Sequence, residues 1–405
     1  MSIRSAASCC QPRQESAVPR GARTGITGRP VSTSRSHSNA SADAGRRRPR
    51  YTRAAMKPLL GVAIPFFHAF PPDEYVNLAK EIEERGYDTA WVGEAGGNDG
   101  ITAMAVIASH TRTLRVANGI LPVQTRTPTL LGQTAATLGT LAPGRIALGL
   151  GLSSPVIVGD WHGLRFSSSL DQLREAVAIV RAVLSGERVS HDGLFYRVKN
   201  FRLTAPPPPA PVKIYLSALG PKAVELAGEI ADGVLLNWIP PEVVPESVRH
   251  LTVGARRAGR TLDGFEIAAY VRTCVTDDPD GARQWLARDI TGYATVDAYA
   301  RFFRASGFAE EIDALRAAWS AGDRAGAVKQ ISPRVLAGLG VIGTAEQCRA
   351  RIEEFRGAGL TMPVVVPFAP VPQGSDPRPS LLRTIRGSPR RDSRERCCAR
   401  SAASR

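Results

Sequence analysis

One phrase recurs from Leu59 to Phe368: a short apolar run, then a segment with apolar residues three and four apart, often closed by glycine. The runs are Leu59–Ile64, Thr89–Gly93, Leu114–Leu121, Arg145–Leu150, Val212–Leu216, Gly233–Asn237, Phe265–Val275 and Met362–Phe368. Between them, helical spacing covers 75–86, 101–109, 128–141, 170–184, 221–230, 242–258 and 345–356. A helical part after the seventh run begins near Asp280 and continues irregularly to Leu339. The runs are near-continuous Val, Ile, Leu and Ala, as parallel strands covered on both faces should be. Eight such pairs predict a (β/α)8 barrel with insertions; a doubly wound sheet rarely needs eight units.

Three stretches exceed the repeat. Residues 153–169 follow the fourth strand, residues 188–204 read as a hairpin around His191-Asp192-Gly193, and residues 294–340 read as a helical excursion. Pro206–Pro209 makes a stiff connector into the fifth strand. In such barrels chemistry gathers where strands end and the following loops begin.

The net charge of +15 on 405 residues first suggests a nucleic-acid or membrane-surface protein. Its distribution opposes that. Residues 1–55 hold eleven Arg and two acids, and residues 374–405 nine Arg and three acids, leaving 32 basic and 32 acidic residues in 56–373. The expected organisation is an Arg/Ser-rich disordered tail over 1–55, a barrel over 56–387 and a disordered basic tail over 388–405. The first tail has the composition of an organellar transit peptide, and Arg46-Arg47-Arg48 that of a twin-arginine signal. The simplest reading is translation that begins at Met56. Pro128, Gly132, Gly139 and Pro143 break the one charge-poor stretch that could tempt a membrane reading. Of six Cys, only Cys274 and Cys348 lie in the body, with no CxxC, which suits a reducing compartment and a cytoplasmic protein.

Elimination narrows the chemistry. The Gly149-Leu150-Gly151-Leu152-Ser153-Ser154 loop follows the fourth strand and leads into Pro155, with no helix opening, so a dinucleotide fold is rejected. The histidines show no metal-binding spacing. No lysine ends a strand, which disfavours a Schiff base, and Glu94 is the sole carboxylate at a strand end. What remains at the mouth is backbone, Gly, Ser, Asn and aromatics, a lining that suits a planar cofactor. The turn Ser217-Ala218-Leu219-Gly220-Pro221 leads into a helix and offers free N–H groups to a phosphate, or is an ordinary βα turn. Gly119 at the third strand's end reads as a packing glycine or as a place where a flat ligand approaches.

The body resembles the luciferase-like monooxygenases, in the branch that includes oxidoreductases dependent on coenzyme F420. The matching phrases are Gly86-Tyr87-Asp88-Thr89-Ala90-Trp91-Val92-Gly93-Glu94, Thr125-Arg126-Thr127-Pro128, Gly144-Arg145-Ile146-Ala147-Leu148-Gly149-Leu150-Gly151 and Ala231-Asp232-Gly233-Val234-Leu235. The resemblance implies a TIM-like barrel holding one flavin or deazaflavin, F420 or alternatively FMN. It implies a non-prolyl cis peptide at Gly119–Ile120 behind the ring, Leu152 and Ser153 at its edge, phosphate on the turn from Ser217 through Ala218, Leu219 and Gly220 to Pro221, and Glu94 touching the cofactor. Where the F420-dependent sugar-phosphate dehydrogenases place a catalytic His, this chain has Ala95. His162 or His68 is a candidate replacement, and Glu94 a second candidate for proton transfer. Trp161 and Phe166 read as a lid over the ring or as loop anchors, and Arg126 as a phosphate ligand or a carboxylate's partner.

The expectation is hydride transfer between F420 and a small-molecule substrate, with a flavin or F420 reductase as supplier and a homodimer as a common assembly. The alternatives are an FMN monooxygenase using reduced flavin and oxygen, and a non-catalytic basic binding protein. Neither nucleic acid nor membrane is expected as a partner.

Overall fold

A computed structural model describes residues 58–64, 70–372 and 374–388 of the chain. The expectations for residues 1–55 and 389–405, and for His68, lie outside the described residues. Strands β1 (Gly61–Ile64), β2 (Thr89–Val92), β3 (Arg115–Asn118), β4 (Ile146–Gly151), β5 (Lys213–Ser217), β6 (Gly233–Asn237), β7 (Glu266–Val275) and β8 (Met362–Pro367) pair in parallel. They run in chain order, and β8 and β7 close the ring back to β1 and β6. The result is the (β/α)8 barrel that the repeat predicts.

Alternation along each strand sorts the side chains. Ala63, Trp91, Ala117, Ala147, Tyr215, Leu235, Ala268, Tyr270, Met362 and Val364 fill the barrel. Their neighbours Val62, Ala90, Val116, Leu148, Ile214, Val234, Ile267 and Val365 face outward and join the layer beneath the helices. The fully buried Trp91 meets Tyr215 edge-on at 5.2 Å and Tyr270 at 6.3 Å. Such pairs contribute about 0.5–1.5 kcal/mol each beyond area burial.

The floor of the barrel, where the strands begin, is polar. Arg115 grips Glu266 with two bonds of 2.8 and 2.9 Å, and Lys213 and Tyr215 donate to the same carboxylate. Burial alone would raise the Glu266 carboxyl, but Arg115, Lys213 and Tyr215 outweigh it and hold it at about 2.

Helices α1 (Pro72–Glu84), α2 (Gly100–His110), α3 (Pro128–Leu141), α4 (Leu170–Leu184), α5 (Pro221–Ile230) and α6 (Val244–Arg257) follow the first six strands. Proline or a side-chain acceptor marks most of their starts: Asp99, Thr127 and Ser169 each bond an early N–H, and Pro128 and Pro221 open α3 and α5. The structure corrects the seventh unit. The helix Pro279–Ala294 packs into a separate core with Phe303, Phe308, Ile312 and Val335, so the excursion begins at 279 rather than 294. The helix that covers the barrel there is α7 (Ala345–Ala358), whose Cys348, Ile352 and Phe355 join the main core.

The last part of the expected body is helical. Residues 378–387 form helix α8, with Leu381 and Ile385 fully buried. Its arginines pair with acids of the body: Arg378 with Glu74, Arg383 with Asp277 and Arg386 with Glu81. Tyr87 donates to the Ile385 carbonyl at 3.0 Å, and Ser388, placed in the tail by the expectation, is buried against the body. The hairpin (strands Val189–Asp192 and Arg197–Phe201) falls within the expected 188–204, but His191 and Asp192 pair inside the first strand and the turn runs from Gly193 to Tyr196. Among the described residues no helix is long and apolar enough to cross a membrane.

Candidate active site

The strand ends carry the irregular backbone. After Asn118 strand β3 stops, and a two-residue strand, Leu121–Pro122, resumes the pairing with β4. Four residue steps on this side, Ala117 to Leu121, oppose three on the other, Ala147 to Leu150. The extra residue makes a bulge, so the expected continuous run Leu114–Leu121 is two pieces. The peptide bond Gly119–Ile120 within it is cis, where the resemblance implied one.

Three contacts hold the bulge. The buried Asn118 carboxamide accepts from the Gly149 N–H at 3.0 Å and donates to the Gly149 carbonyl at 2.5 Å. Gly119 N–H donates to the Val92 carbonyl at 2.8 Å, and the Tyr270 hydroxyl donates to the Gly119 carbonyl at 3.0 Å. A Cβ on Gly119 would fall on the Tyr270 hydroxyl and Leu235. The side-chain direction of Gly119 is therefore filled by protein, and the expected ligand approach does not come from that side.

Several expected residues do meet. A Cβ on Gly151 would run into the Ser217 hydroxyl and lie 3.0 Å from Ile120, so the ends of β3, β4 and β5 converge there. Leu152 and Ser153 continue from β4, half-buried, with Leu152 packed on the main core. In the turn after β5, Ala218 N–H bonds the Leu235 carbonyl. The next three N–H groups, of Leu219, Gly220 and Lys222, have no acceptor among the described residues. A Cβ on Gly220 would meet nothing within 4 Å. This is an open cradle of backbone donors at the N-terminus of α5, just before and after Pro221.

Glu94 is committed elsewhere. One of its oxygens takes the Arg126 guanidinium and the other the Gly100 N–H at 3.0 Å, while Arg126 also pairs with Asp99 at 2.7 Å. Arg126 is thus a carboxylate's partner, and Glu94 ties the loop after β2 to the start of α2. The loop after β4 contains one π-helical turn, Val156–Trp161, too short to restore a dinucleotide motif. His162 follows it and is exposed. Trp161 is 57% exposed, with its ring edge 3.3 Å from where a Gly96 Cβ would stand, so the loops after β2 and β4 meet at this pair. Phe166 is half-buried.

Sequence reasoning missed the other half of the mouth. Arg272 on β7 is 6% exposed, donates to the Asn237 carboxamide oxygen and stacks 3.8 Å over Trp238. Asn237 in turn donates to the Tyr299 hydroxyl at 2.9 Å. A lone cation inside the otherwise apolar run Ile267–Val275 was the signal available.

Comparison with known proteins agrees with this architecture. The family described as luciferase-like monooxygenase matches residues 45–362. A Mycobacterium tuberculosis protein provisionally named coenzyme F420-dependent oxidoreductase is 31% identical, over 77% of this chain and 95% of its own. The 5,10-methylenetetrahydromethanopterin reductase of Archaeoglobus fulgidus is 28% identical, over 78% and 94%. Among solved structures, the coenzyme F420-dependent tetrahydromethanopterin reductase of Methanopyrus kandleri superposes with a TM-score of 0.69 at 22% identity, covering 82% of this chain and 99% of that one. The chain belongs to the luciferase-like monooxygenase family.

Proposed function

We propose that this protein is an oxidoreductase that passes a hydride between coenzyme F420 and a small organic substrate at the C-terminal mouth of the barrel. The observation that carries the reading is the 31% identity, over 77% of this chain and 95% of the other, to a relative named for F420. The site fits such a group. The open N–H groups of Leu219, Gly220 and Lys222 offer donors to a phosphate, and the converging ends of β3, β4 and β5 at Ile120, Gly151 and Ser217 offer a surface of small residues and backbone for a flat ring. When bound, the deazaflavin supplies the carbon that gives or takes the hydride.

The chain's own contribution is placement and exclusion of water. Asn118 and Tyr270 fix the bulge, Ser217 and the α5 cradle hold the cofactor, and Leu152 and Ser153 border it. Glu94 acts through Arg126 and the start of α2, as a positioning residue for the loop after β2. His162 stands on the loop that would fold over the mouth, and remains the candidate for a proton relay. A reductase that returns the cofactor to its starting state is the implied partner, and a homodimer the implied assembly.

Side-by-side titration of the purified protein with F420 and FMN, followed by fluorescence quenching, tests this. The expected result is F420 binding at about micromolar Kd or tighter, roughly −8 kcal/mol, and weaker FMN binding. Tight FMN binding with no response to F420 would instead assign the oxygen-activating chemistry of reduced flavin.

A further inference from the structure

The geometry points to an oxyanion receptor built by Arg272, Tyr299 and Trp238 on the β6–β7 side of the mouth, which takes a carboxylate or phosphate group of the substrate. The inference rests on the reading above that the reaction occurs at this mouth, and it adds the class of substrate.

Hydrogen-bond bookkeeping carries it. An arginine can only donate, so the Asn237 oxygen must face Arg272 and its amide nitrogen must face Tyr299. The Tyr299 oxygen is then an acceptor, and its own O–H proton has no partner among the described residues. The Arg272 guanidinium has five N–H donors, and among the described residues one of them reaches an acceptor within hydrogen-bond distance. Its carboxylate neighbour, Asp289, stands 3.9 Å away, outside hydrogen-bond range. Trp238 is 1% exposed and its indole N–H is unpartnered.

The unspent groups of Arg272, Tyr299 and Trp238 are all donors, and the one carboxylate beside them, Asp289, is ion-paired to Arg272 without coming within hydrogen-bond distance. Buried donors without acceptors are costly, so such a cluster complements a ligand rich in acceptors. The positive charge selects an anion among these, and a planar guanidinium matches a carboxylate or phosphate.

A structural role for Arg272, as a strut between β7 and the excursion helices, is the competing account. A strut would spend its donors on the elements it joins. Arg272 instead meets the excursion helices with its face, over Tyr293, and with its Nε edge toward Asp289 at 3.9 Å, too far for a hydrogen bond, so none of its donors is spent on them. Trp238 also adopts a left-handed backbone, φ +55°, which a non-glycine residue rarely does and which is concentrated at functional sites.

The test uses the full chain, free of cofactor, titrated with acetate, benzoate and inorganic phosphate at constant ionic strength and followed by calorimetry. Saturable binding of at least one probe is expected, weakened at least tenfold in Arg272→Gln. Tyr299→Phe keeps the ring and loses one donor, and is expected to weaken binding severalfold without lowering the melting temperature. Equal affinity in wild type and Tyr299→Phe, together with equal affinity in Arg272→Gln or, if that variant does not fold, Arg272→Lys, would overturn the receptor. A second arm compares F420 with a deazaflavin lacking the phosphate and acidic tail. If Arg272→Gln weakens F420 but not the tail-less compound, the oxyanion is the cofactor's and the substrate assignment is wrong. Absence of F420 binding leaves the anion titration intact, so the two readings fail separately.

Discussion

The Asn118 carboxamide bonds both backbone groups of Gly149, at 2.5 and 3.0 Å, and so does the work of a peptide unit between two strands that have lost their register. The bulge displaces the β3 backbone by one residue, and the side chain fills the gap in the ladder. Gly149 has no room for a side chain, since a Cβ there would fall on the Asn118 carbonyl.

Replacing Asn118 with Leu should therefore leave a buried N–H and a buried carbonyl unpaired. The expected loss is about 2–4 kcal/mol, one to three for each group with some relaxation. Urea unfolding would measure it, and a loss below about 0.5 kcal/mol would mean that the bulge is held by other means.

Gly119 and Tyr270 should be coupled. Gly119→Ala adds a methyl where the Tyr270 hydroxyl lies, and is expected to cost about 1–3 kcal/mol by overpacking. Tyr270→Phe removes that oxygen and one hydrogen bond, a loss of about 1 kcal/mol. The double variant should be destabilised by less than the sum, because the phenylalanine removes the worst of the clashes and leaves only the Leu235 methyl and the ring carbon to shift. Simple additivity in chemical unfolding would show that the two positions do not share the space.

Helix α8 should mark where the folded body ends. A chain of residues 56–388 is expected to melt as the full chain does, whereas one cut at residue 377 loses buried Leu381, Thr384 and Ile385 and three ion pairs. Full burial of a Leu or Ile side chain is worth about 1.5–3 kcal/mol, so the shorter chain should lose several. Equal melting temperatures for the two truncated chains would refute the boundary.

The barrel was legible because its strands are buried on both faces and so read as uninterrupted apolar runs, such as Ile146–Gly151. The excursion boundary was not. Pro279–Ala294 and Ala345–Ala358 have similar helical spacing, and only their partners, Phe303 and Ile312 for one and the barrel for the other, decide which covers β7. The cradle at Ser217–Pro221 showed in the sequence through proline and glycine, whose backbone consequences are local. The Glu94–Arg126 pair and the Arg272–Asn237–Tyr299 chain join residues 32 to 62 positions apart, and no local pattern encodes such contacts.

Glu266 should give the protein a distinctive acid response. Its carboxyl is held at about 2, against 4.5 for the unperturbed group, by Arg115, Lys213 and Tyr215 acting against its burial. A depressed carboxylate stabilises the fold above the unfolded value, and the contribution drains away as pH falls from about 4.5 through 2. A shift of this size corresponds to about 3 kcal/mol. Other carboxylates held low by arginines, Glu81 and Glu229 among them, lose stability over the same range, so the wild-type slope alone does not isolate Glu266. Comparison with Glu266→Gln does. At pH 6 the variant should be less stable by about 3–5 kcal/mol, since the half-buried Arg115 loses its partner at a buried site. As pH falls to 3 the gap should shrink by between one and two kcal/mol, because the unfolded wild type takes up a proton near 4.5 that the folded carboxylate still refuses, a difference that the variant does not have. Unfolding free energies of the two proteins from pH 6 to 3 would decide it, and a constant gap across that range would show that Glu266 titrates as an ordinary carboxylate.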